Sequence, residues 1–174
     1  AVPGAADDIL ATLRLLGLEW DGPVVYQTRR STAYLAALDS LQRQGLVYGC
    51  SCTRRELAES DPVRCYPGTC RSGARGSPPL ALRLRTDEQA IDAFHDRLQG
   101  RCSFELGALG DPVIRRRDGL FAYQLAVVVD DADAGVTDIV RGADLLGSSP
   151  WQRVLQQALG LPRPKLCHLP LITA

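Results

Sequence analysis

The sequence has 174 residues, of which 45% are hydrophobic and 23% charged, and these values fit one globular domain or a domain with a small insertion. Apolar runs are short, the longest useful one being Ala126–Val129, which excludes a membrane span or a secretion signal within this sequence. Twenty basic residues balance twenty acidic ones, which excludes a polycation that binds nucleic acid by bulk charge. Because the chain lacks methionine and begins within a pattern at Ala1, we expect a fragment of a longer reading frame.

Helices are predicted where apolar residues recur every three or four positions between start and stop signals. In the second such segment Tyr34, Leu38 and Leu41 form one stripe, and Gly45 supplies the stop. The predicted helices are the segment that ends at Gly17, Ser31–Gly45, a short helix from Thr53 with Glu56 at capping-box spacing, Asp87–Leu98 and Ser149–Gly160.

Short apolar or alternating runs between turn residues predict strands. The continuous apolar run Tyr123–Val129 suits a strand that is buried on both faces, although a buried helix gives the same pattern. Ser60–Pro79 lacks periodicity and is predicted to be a long loop. The predicted strands are Val24–Tyr26, Leu46–Cys50, Leu80–Arg85, Cys102–Leu106, Pro112–Arg116, Tyr123–Val129 and Val136–Val140, followed by a final apolar stretch, Leu166–Ile172. The pattern predicts an α/β domain that is interrupted by a basic, cysteine-bearing insertion.

The overall charge balance hides an uneven distribution. Residues 54–117 hold twelve arginines against nine acidic residues, and within them residues 62–86 hold five arginines and no acidic residue. Such a stretch is either a solvated loop or a surface that contacts phosphate groups, and charge alone favours neither. The five arginines are Arg64, Arg71, Arg75, Arg83 and Arg85.

The six cysteines are Cys50, Cys52, Cys65, Cys70, Cys102 and Cys167. Disulfides are rare in a cytosolic chain, so the four thiols around the long loop indicate a metal site. Zinc needs four tetrahedral ligands, and ligands from both sides of the loop would close it. The last ligand is ambiguous: Cys65 is the softer and more ordinary choice, whereas the phenol of Tyr66 would have to lose its proton. Cys102 and Cys167 are predicted to be small core residues.

The sequence contains no nucleophile-and-base pair and no glycine-rich phosphate loop, so no catalytic residue is predicted. His95 is predicted to lie on the surface of a helix, and His168 to be a satisfied core histidine. Asp130-Asp131 follow the buried run, at the end of a predicted strand where α/β sheets bind ligands. Arg141 and Tyr123 add a guanidinium and a hydroxyl group that could reach a polar ligand there.

Several strings of the sequence resemble a known enzyme family. Some resemble the catalytic domain of glutamyl-tRNA synthetases: Leu18–Pro23, Tyr26-Gln27 and Arg30. Others are similar to a paralogous group, the glutamyl-queuosine tRNA(Asp) synthetases: Tyr66–Arg71, Phe121–Asp131 and Val140–Leu146. The resemblance extends over essentially the whole sequence.

This resemblance implies a Rossmann-like class I synthetase catalytic domain with an inserted zinc-bearing, acceptor-stem-like region. Residues 1–49 and 118–174 would be two parts of the catalytic domain, and residues 50–117 the insertion. The implied protein is a cytoplasmic monomer that converts L-glutamate and ATP, with Mg²⁺, into glutamyl-adenylate. It would then transfer the glutamyl group to the queuosine base of tRNA(Asp).

The resemblance also implies site residues. The family's glutamate-binding tyrosine and arginine correspond to Tyr123 and Arg141. Its zinc ligands correspond to Cys50, Cys52, Tyr66 and Cys70, so the resemblance favours Tyr66 where thiolate chemistry favours Cys65.

Two signatures of the family are not found in the sequence. The ATP-binding signature and the acidic residue for the substrate amino group are expected before Ala1, and the chain stops after Leu169–Ile172, before the lysine-containing loop. We therefore expect the fragment alone not to activate glutamate. Two other hypotheses remain: a truncated glutamyl-tRNA synthetase that charges tRNA(Glu), and a non-catalytic zinc-containing RNA-binding module that uses the arginines of residues 62–86. The string Tyr123–Ala126 and the short insertion favour the queuosine enzyme over the first of these.

Overall fold

The structure, a computed structural model, describes residues 2–53, 55–57 and 66–172. Helices and strands are numbered here in chain order. The helices are α1 Ala5–Leu15, α2 Ser31–Arg43, α3 Leu106–Leu109, α4 Tyr123–Asp133 and α5 Ser149–Leu159, with 3-10 helices at Gln27–Arg29 and Ala143–Ser148. The strands are β1 Val47–Cys50, β2 Ala81–Leu84, β3 Ile91–Asp96, β4 Gly100–Glu105, β5 Val113–Arg115, β6 Asp138–Gly142 and β7 Lys165–Leu169.

The strands form two sheets. In the first, β2 lies between β1 and β5 and pairs antiparallel with both. In the second, the order is β4-β3-β7-β6, with β7 parallel to β3 and to β6, and β4 antiparallel to β3. The second sheet therefore takes strands both from the segment 50–117 and from the segment 118–174.

The glycine stop signals of helices α1 and α2 behave as predicted, whereas Ser31 lies inside α2 and no side chain caps the start of that helix. Helix α2 ends before Gly45, which has φ of 70°, and the N–H of Leu46 donates to the carbonyl of Leu41. The predicted stripe of Tyr34, Leu38 and Leu41 is buried in the main core. Helix α1 also forms where predicted, but none of its residues is buried, so core packing does not account for it.

The main core lies between helices α2, α4 and α5 and the first sheet. Leu125 of α4 and Leu155 of α5 have no exposed surface, and they pack in one cluster with Leu84 of β2 and Ile114 of β5. A second, smaller cluster surrounds Cys50. Within the described ranges, no helix has the length and apolar character that crossing a bilayer requires.

Two predicted elements in the first two-thirds of the chain are wrong. Asp87–Leu98, predicted to be a helix, contains strand β3, and Val24–Tyr26, predicted to be a strand, forms no regular element. The alternation of β3 was hidden because its inward positions include two acids, Asp92 and Asp96, while Ile91 is 63% exposed. A strand whose acids point inward does not show the apolar alternation that identifies strands in a sequence.

The apolar run Tyr123–Val129 is also not a strand but the first part of helix α4, the alternative that the sequence left open. The helix ends because Gly135 takes φ of 68° and the N–H of Val136 donates to the carbonyl of Asp131. Asp130-Asp131 therefore lie within a helix and not at the end of a sheet strand, as predicted.

A buried carboxylate joins the first sheet to the segment that carries Cys70. The side chain of Asp111 accepts two hydrogen bonds from the guanidinium of Arg71, at 2.5 and 2.6 Å. It also accepts from the backbone N–H and the hydroxyl of Thr86, both at 2.8 Å, and from the hydroxyl of Tyr48. Burial favours the neutral acid, but these donors outweigh it and lower the pKa of Asp111.

We expect Asp111→Asn to lower the free energy of unfolding by about 3 kcal/mol, because Arg71 would lose its buried counter-charge. Because folding lowers the pKa of Asp111, this stabilisation is fully present at pH values above the ordinary carboxyl pKa of about 4. It is lost as the pH falls through the pKa of Asp111 in the folded state. Urea unfolding at pH 7 and at pH 3 measures both effects. The matched control is Asp118→Asn, at an exposed ion pair with Arg116, where a change within about 0.5 kcal/mol is expected. Equal effects of the two substitutions would contradict this account.

Candidate functional site

Polar side chains meet where three parallel strands end. Arg141 of β6 lies opposite His168 of β7 in the strand register, and Asp96 is the last residue of β3. His168 and Asp96 have no exposed surface, whereas Arg141 is half-buried. This is the edge at which open α/β sheets bind their ligands.

The guanidinium of Arg141 is held by three partners. Its Nε–H donates to Nε2 of His168 at 3.0 Å, and Nη2 donates to the hydroxyl of Ser149 at 2.9 Å. Nη1 lies 3.4 Å from the hydroxyl of Tyr123, the first residue of α4, which is 46% exposed. The structure thus brings together Tyr123 and Arg141, the two residues predicted to bind glutamate.

Asp96 completes this arrangement on the far side of His168. Its Oδ2 lies 2.6 Å from Nδ1 of the His168 ring, and its Oδ1 accepts from the backbone N–H of His168 at 3.1 Å. Burial alone would raise the pKa of Asp96, but the N–H groups of Gln99, Leu98 and His168 and the His168 ring hold it well below its usual range. The prediction of a satisfied core histidine is confirmed.

The two acids of α4 have different surroundings. Asp130 accepts hydrogen bonds from Gln27, Arg30 and Tyr34, so it anchors the segment before α2 and is not free to bind a ligand. Burial raises the pKa of the Asp131 carboxyl, and the positive charge of Arg141 partly offsets that rise. Of the pair proposed from the sequence, only Asp131 interacts with the Arg141 site.

Three thiols form a separate cluster at the end of β1. The Sγ atoms of Cys50, Cys52 and Cys70 all lie within 4.8 Å of one another, and Cys52 and Cys70 are 3.6 Å apart. Zinc–thiolate bonds of about 2.3 Å in a tetrahedron place sulfur atoms about 3.8 Å apart. The described thiols therefore fit a tetrahedral metal ion.

Tyr66 lies beside this cluster. Its hydroxyl is 3.5 Å from Sγ of Cys50 and accepts from the backbone N–H of Cys70 at 2.8 Å. Burial and the contact with Cys50 raise the pKa of Tyr66, so a dication would be needed to ionise the phenol. The competing ligand, Cys65, lies outside the described residues.

The thiols differ in how readily they ionise. Burial opposes the ionisation of Cys70, but hydrogen bonds from the backbone N–H of Ser51 and from Tyr66 and Cys52 outweigh it and lower its pKa to about 6. Burial and the contact with Cys70 raise the pKa of Cys52 to about 11. The surroundings thus favour the thiolate of Cys70 and the neutral thiol of Cys52, and a metal ion would displace thiol protons on binding.

Most described arginines of the acid-free stretch are used within the molecule. Arg71 binds Asp111, Arg85 donates to the carbonyl of Arg71, and Arg83 lies 3.6 Å over the ring of Tyr66. Arg75 is exposed, and Arg64 lies outside the described residues. Among the described residues 66–86, these contacts leave Arg75 as the exposed arginine.

A different basic surface, which was not predicted from the sequence, lies at the turn after β5. Arg116 and Arg117 are exposed there, where Arg116 pairs with the exposed Asp118 and Arg117 donates to the carbonyl of Ser51. Together they border a cleft that is also lined by Cys52 and by Ala122, the residue before α4. The cleft therefore lies between the thiol cluster and the start of the helix that carries Tyr123.

Comparison with known proteins identifies the family of this domain. The whole sequence, residues 1–174, matches the family described as tRNA synthetases class I (E and Q), catalytic domain. The chain belongs to this family.

Curated relatives are named glutamyl-Q tRNA(Asp) synthetase. The proteins from Dechloromonas aromatica and Chromobacterium violaceum are each 55% identical to this chain over 178 residues, which cover 98% and 99% of it. In both comparisons the match covers 59% of the relative, so the chain spans about three-fifths of the length of these relatives.

Solved structures share the fold. A glutamate tRNA ligase from Elizabethkingia meningosepticum, in complex with its amino acid, superposes with a TM-score of 0.82 at 24% identity, over 98% of this chain and 40% of that one. The glutamate-tRNA synthetase of Elizabethkingia anophelis gives a TM-score of 0.83, also at 24% identity, over 99% of this chain and 41% of that one. The chain therefore has the α/β fold of a class I synthetase catalytic domain.

Within this class I synthetase domain, sequence reasoning missed part of the Arg141 site. Asp96 was placed in a helix, Ser149 was treated only as a helix start, and His168 was given no connection to Arg141. The position of His168 and Arg141 in the sequence was a usable signal, because both lie near the ends of apolar segments that precede turns. It could not be used for Asp96 without recognising β3 as a strand.

Proposed function

We propose that the protein that contains this chain activates L-glutamate with ATP and transfers the glutamyl group to the queuosine base of tRNA(Asp). The observation that carries the proposal is the pairing of Arg141 with Tyr123 at the carboxyl ends of parallel strands. The names of the curated relatives support the choice of acceptor. As in the sequence analysis, we propose 1–49 and 118–174 as parts of the catalytic domain and 50–117 as the insertion.

The chemistry explains why an arginine is needed at this place. In the first step, a carboxylate oxygen of glutamate attacks the α-phosphorus of ATP, and the bond from that phosphorus to pyrophosphate breaks. The reacting carboxylate must stay free, so the second carboxylate is the one to be held. A guanidinium carries five N–H donors, and Arg141 uses three of them on His168, Ser149 and Tyr123. One N–H on each terminal nitrogen remains, which is what a bidentate carboxylate accepts.

The second step needs groups that place the RNA beside the glutamyl-adenylate. There, a hydroxyl of the queuosine base attacks the glutamyl carbonyl and releases AMP. The cleft beside Arg116 and Arg117 reaches the start of α4, so a phosphate backbone bound there would lead toward Tyr123. ATP, with Mg²⁺, is the second substrate of the proposed reaction.

We propose zinc as the ion that the thiol cluster holds, with Cys50, Cys52, Cys70 and Tyr66 as ligands. When bound, the ion would supply a structural cross-link between β1 and the segment around Cys70, and no chemistry of the glutamate reaction. The three described thiols support this assignment by their spacing, and Tyr66 supports it by its contact with Cys50.

In the complete reading frame, we expect glutamate-dependent ATP–pyrophosphate exchange without added tRNA. Arg141→Ala should lower kcat/KM for glutamate by roughly 100-fold, because a charge-assisted carboxylate contact contributes up to about 3 kcal/mol. Binding of tRNA should be nearly unchanged. The matched control is Arg163→Ala, an exposed arginine that contacts Gln157. Exchange that requires tRNA would favour a glutamyl-tRNA synthetase, and unchanged glutamate dependence in Arg141→Ala would refute the site.

For the metal, we expect one zinc ion per chain in the purified complete protein, measured by elemental analysis and by competition with a chelator. Cys70→Ser should abolish stoichiometric zinc, because it removes one of the three described thiols, the one whose pKa is lowered to about 6. Tyr66→Phe should weaken zinc binding by more than about tenfold, whereas Cys65→Ser should leave it unchanged. Cys102→Ser, at a thiol outside the cluster, is the control. If Cys65→Ser weakens zinc binding and Tyr66→Phe leaves it unchanged, Cys65 is the ligand.

For RNA binding, we expect the double variant Arg116→Ala/Arg117→Ala to weaken binding of tRNA(Asp). The slope of log affinity against log salt should fall by roughly 1.5, since each phosphate contact contributes about 0.7 to 0.9. Filter binding at salt concentrations from about 50 to about 200 mM measures this slope. The control is Arg101→Ala, an exposed arginine on the edge strand β4. An unchanged slope, with a reduced one in Arg75→Ala, would return the RNA surface to residues 62–86.

A further inference from the structure

His168 is buried without exposed surface in the candidate site, yet the proposed reaction gives it no direct task. It lies between Asp96 and Arg141, with Nδ1 2.6 Å from the Asp96 carboxylate and Nε2 3.0 Å from Nε of Arg141. The hydroxyl of Ser149, itself buried, lies 3.3 Å from the same Nε2. The ring therefore connects a buried acid to the arginine that faces the ligand edge.

The protonation state of the ring follows from its neighbours. A guanidinium has N–H donors and no acceptor, so Nε2 of His168 has to be the unprotonated nitrogen that accepts from Arg141. The proton of a neutral ring then lies on Nδ1, where it donates to Asp96. Asp96 thus fixes the tautomer that presents a lone pair to Arg141.

This lone pair restricts the guanidinium. Arginine is a long side chain that loses rotamer freedom when it is fixed, so an unrestrained guanidinium would lose that freedom when the ligand binds. With Nε–H held by His168 and Nη2 held by Ser149, the plane of the guanidinium is set before binding. Nη1 is then beside the hydroxyl of Tyr123.

We propose that Asp96 and His168 are positioning residues, which hold Arg141 in the orientation that binds the substrate carboxylate through an Nδ1-protonated, neutral His168. This inference rests on the proposed function for the identity of the ligand. The arrangement of hydrogen bonds that it asserts is independent of that identity. The effect belongs to ligand binding, because His168 has no exposed surface and acts through Arg141.

Substitutions of His168 separate its hydrogen bond with Asp96 from its hydrogen bond with Arg141. The amide nitrogen of Asn can replace Nδ1, so His168→Asn keeps a donor for Asp96 and loses the acceptor for Arg141. The longer Gln can place its carbonyl oxygen where Nε2 lies, so His168→Gln keeps the acceptor. Ser149→Ala removes the second acceptor of Arg141 with a small change in packing. His95→Asn is the matched control, because His95 is an exposed histidine on β3.

Glutamate-dependent pyrophosphate exchange by the complete protein tests the proposal. His168→Asn should raise KM for glutamate by about 10- to 100-fold, while kcat stays within about threefold and KM for ATP is unchanged. His168→Gln should recover most of this loss, and Ser149→Ala should raise KM for glutamate by about threefold to tenfold. A merely structural role predicts instead that His168→Asn and His168→Gln lower kcat and the melting temperature together, and that result would overturn the proposal.

Nitrogen NMR of the imidazole gives a readout that needs no enzyme activity. The signals of His168 are those missing from the His168→Asn spectrum, and they should show a protonated Nδ1 and an unprotonated Nε2 at neutral pH. A proton on Nε2 would overturn the proposal even if glutamate is the substrate. If the tautomer is the expected one and wild-type protein shows no glutamate-dependent exchange, the proposed function fails and the positioning of Arg141 stands.

Discussion

The Asp96 carboxylate is the constraint on which the arrangement of the second sheet depends. It has no exposed surface and accepts hydrogen bonds from the N–H groups of Leu98 and Gln99, which close the turn from β3 to β4. It also accepts from the backbone and the ring of His168 on β7. A buried charge costs several kcal/mol unless it is satisfied, so these donors are needed together. The carboxylate thereby fixes how β7 lies against β3, and the register of β7 with β6 places Arg141.

The distribution of arginines shows why charge in the sequence differs from charge on the surface. Residues 62–86 contain no acid, but the fold brings Asp111 and Glu88 to Arg71 from elsewhere in the chain. Arg83 is buried against the ring of Tyr66, with 7% of its surface exposed. Arg116 and Arg117 stay exposed, although Arg116 pairs with the exposed Asp118 and Arg117 donates to the carbonyl of Ser51. Tertiary pairing, which a charge count cannot include, decides which arginines remain available to a partner.

The elements that could be predicted are those whose signals are local. Glycine stops such as Gly45 and Gly160, the Pro150 helix start and the Thr53–Glu56 capping box depend on neighbouring residues, and all are observed. Strand β3 could not be predicted, because its inward acids are satisfied by residues far along the chain, Asp92 by Arg153 and Asp96 by His168.

In the candidate sites, too, local signals could be predicted and long-range contacts could not. The cysteine spacing indicated the thiol cluster, and the structure brings Cys50, Cys52 and Cys70 together. The resemblance to the synthetases indicated Arg141, but its partners are fixed by the parallel pairing of β6 and β7 and by the start of α5. That pairing is long-range information, which no spacing in the sequence expresses.

The thiol cluster and the Arg141 site are mechanically connected through Gly110 and helix α5. Tyr66 forms a parallel bridge with Gly110, and the indole N–H of Trp151 donates to the carbonyl of Gly110 at 2.9 Å. Trp151 lies in the first turn of α5, two residues after Ser149, whose hydroxyl holds Arg141. A helix turn is stiff because its backbone hydrogen bonds fix each residue to the next turn. A continuous chain of hydrogen bonds and helix backbone therefore joins the segment around Tyr66 to the side chain that orients Arg141.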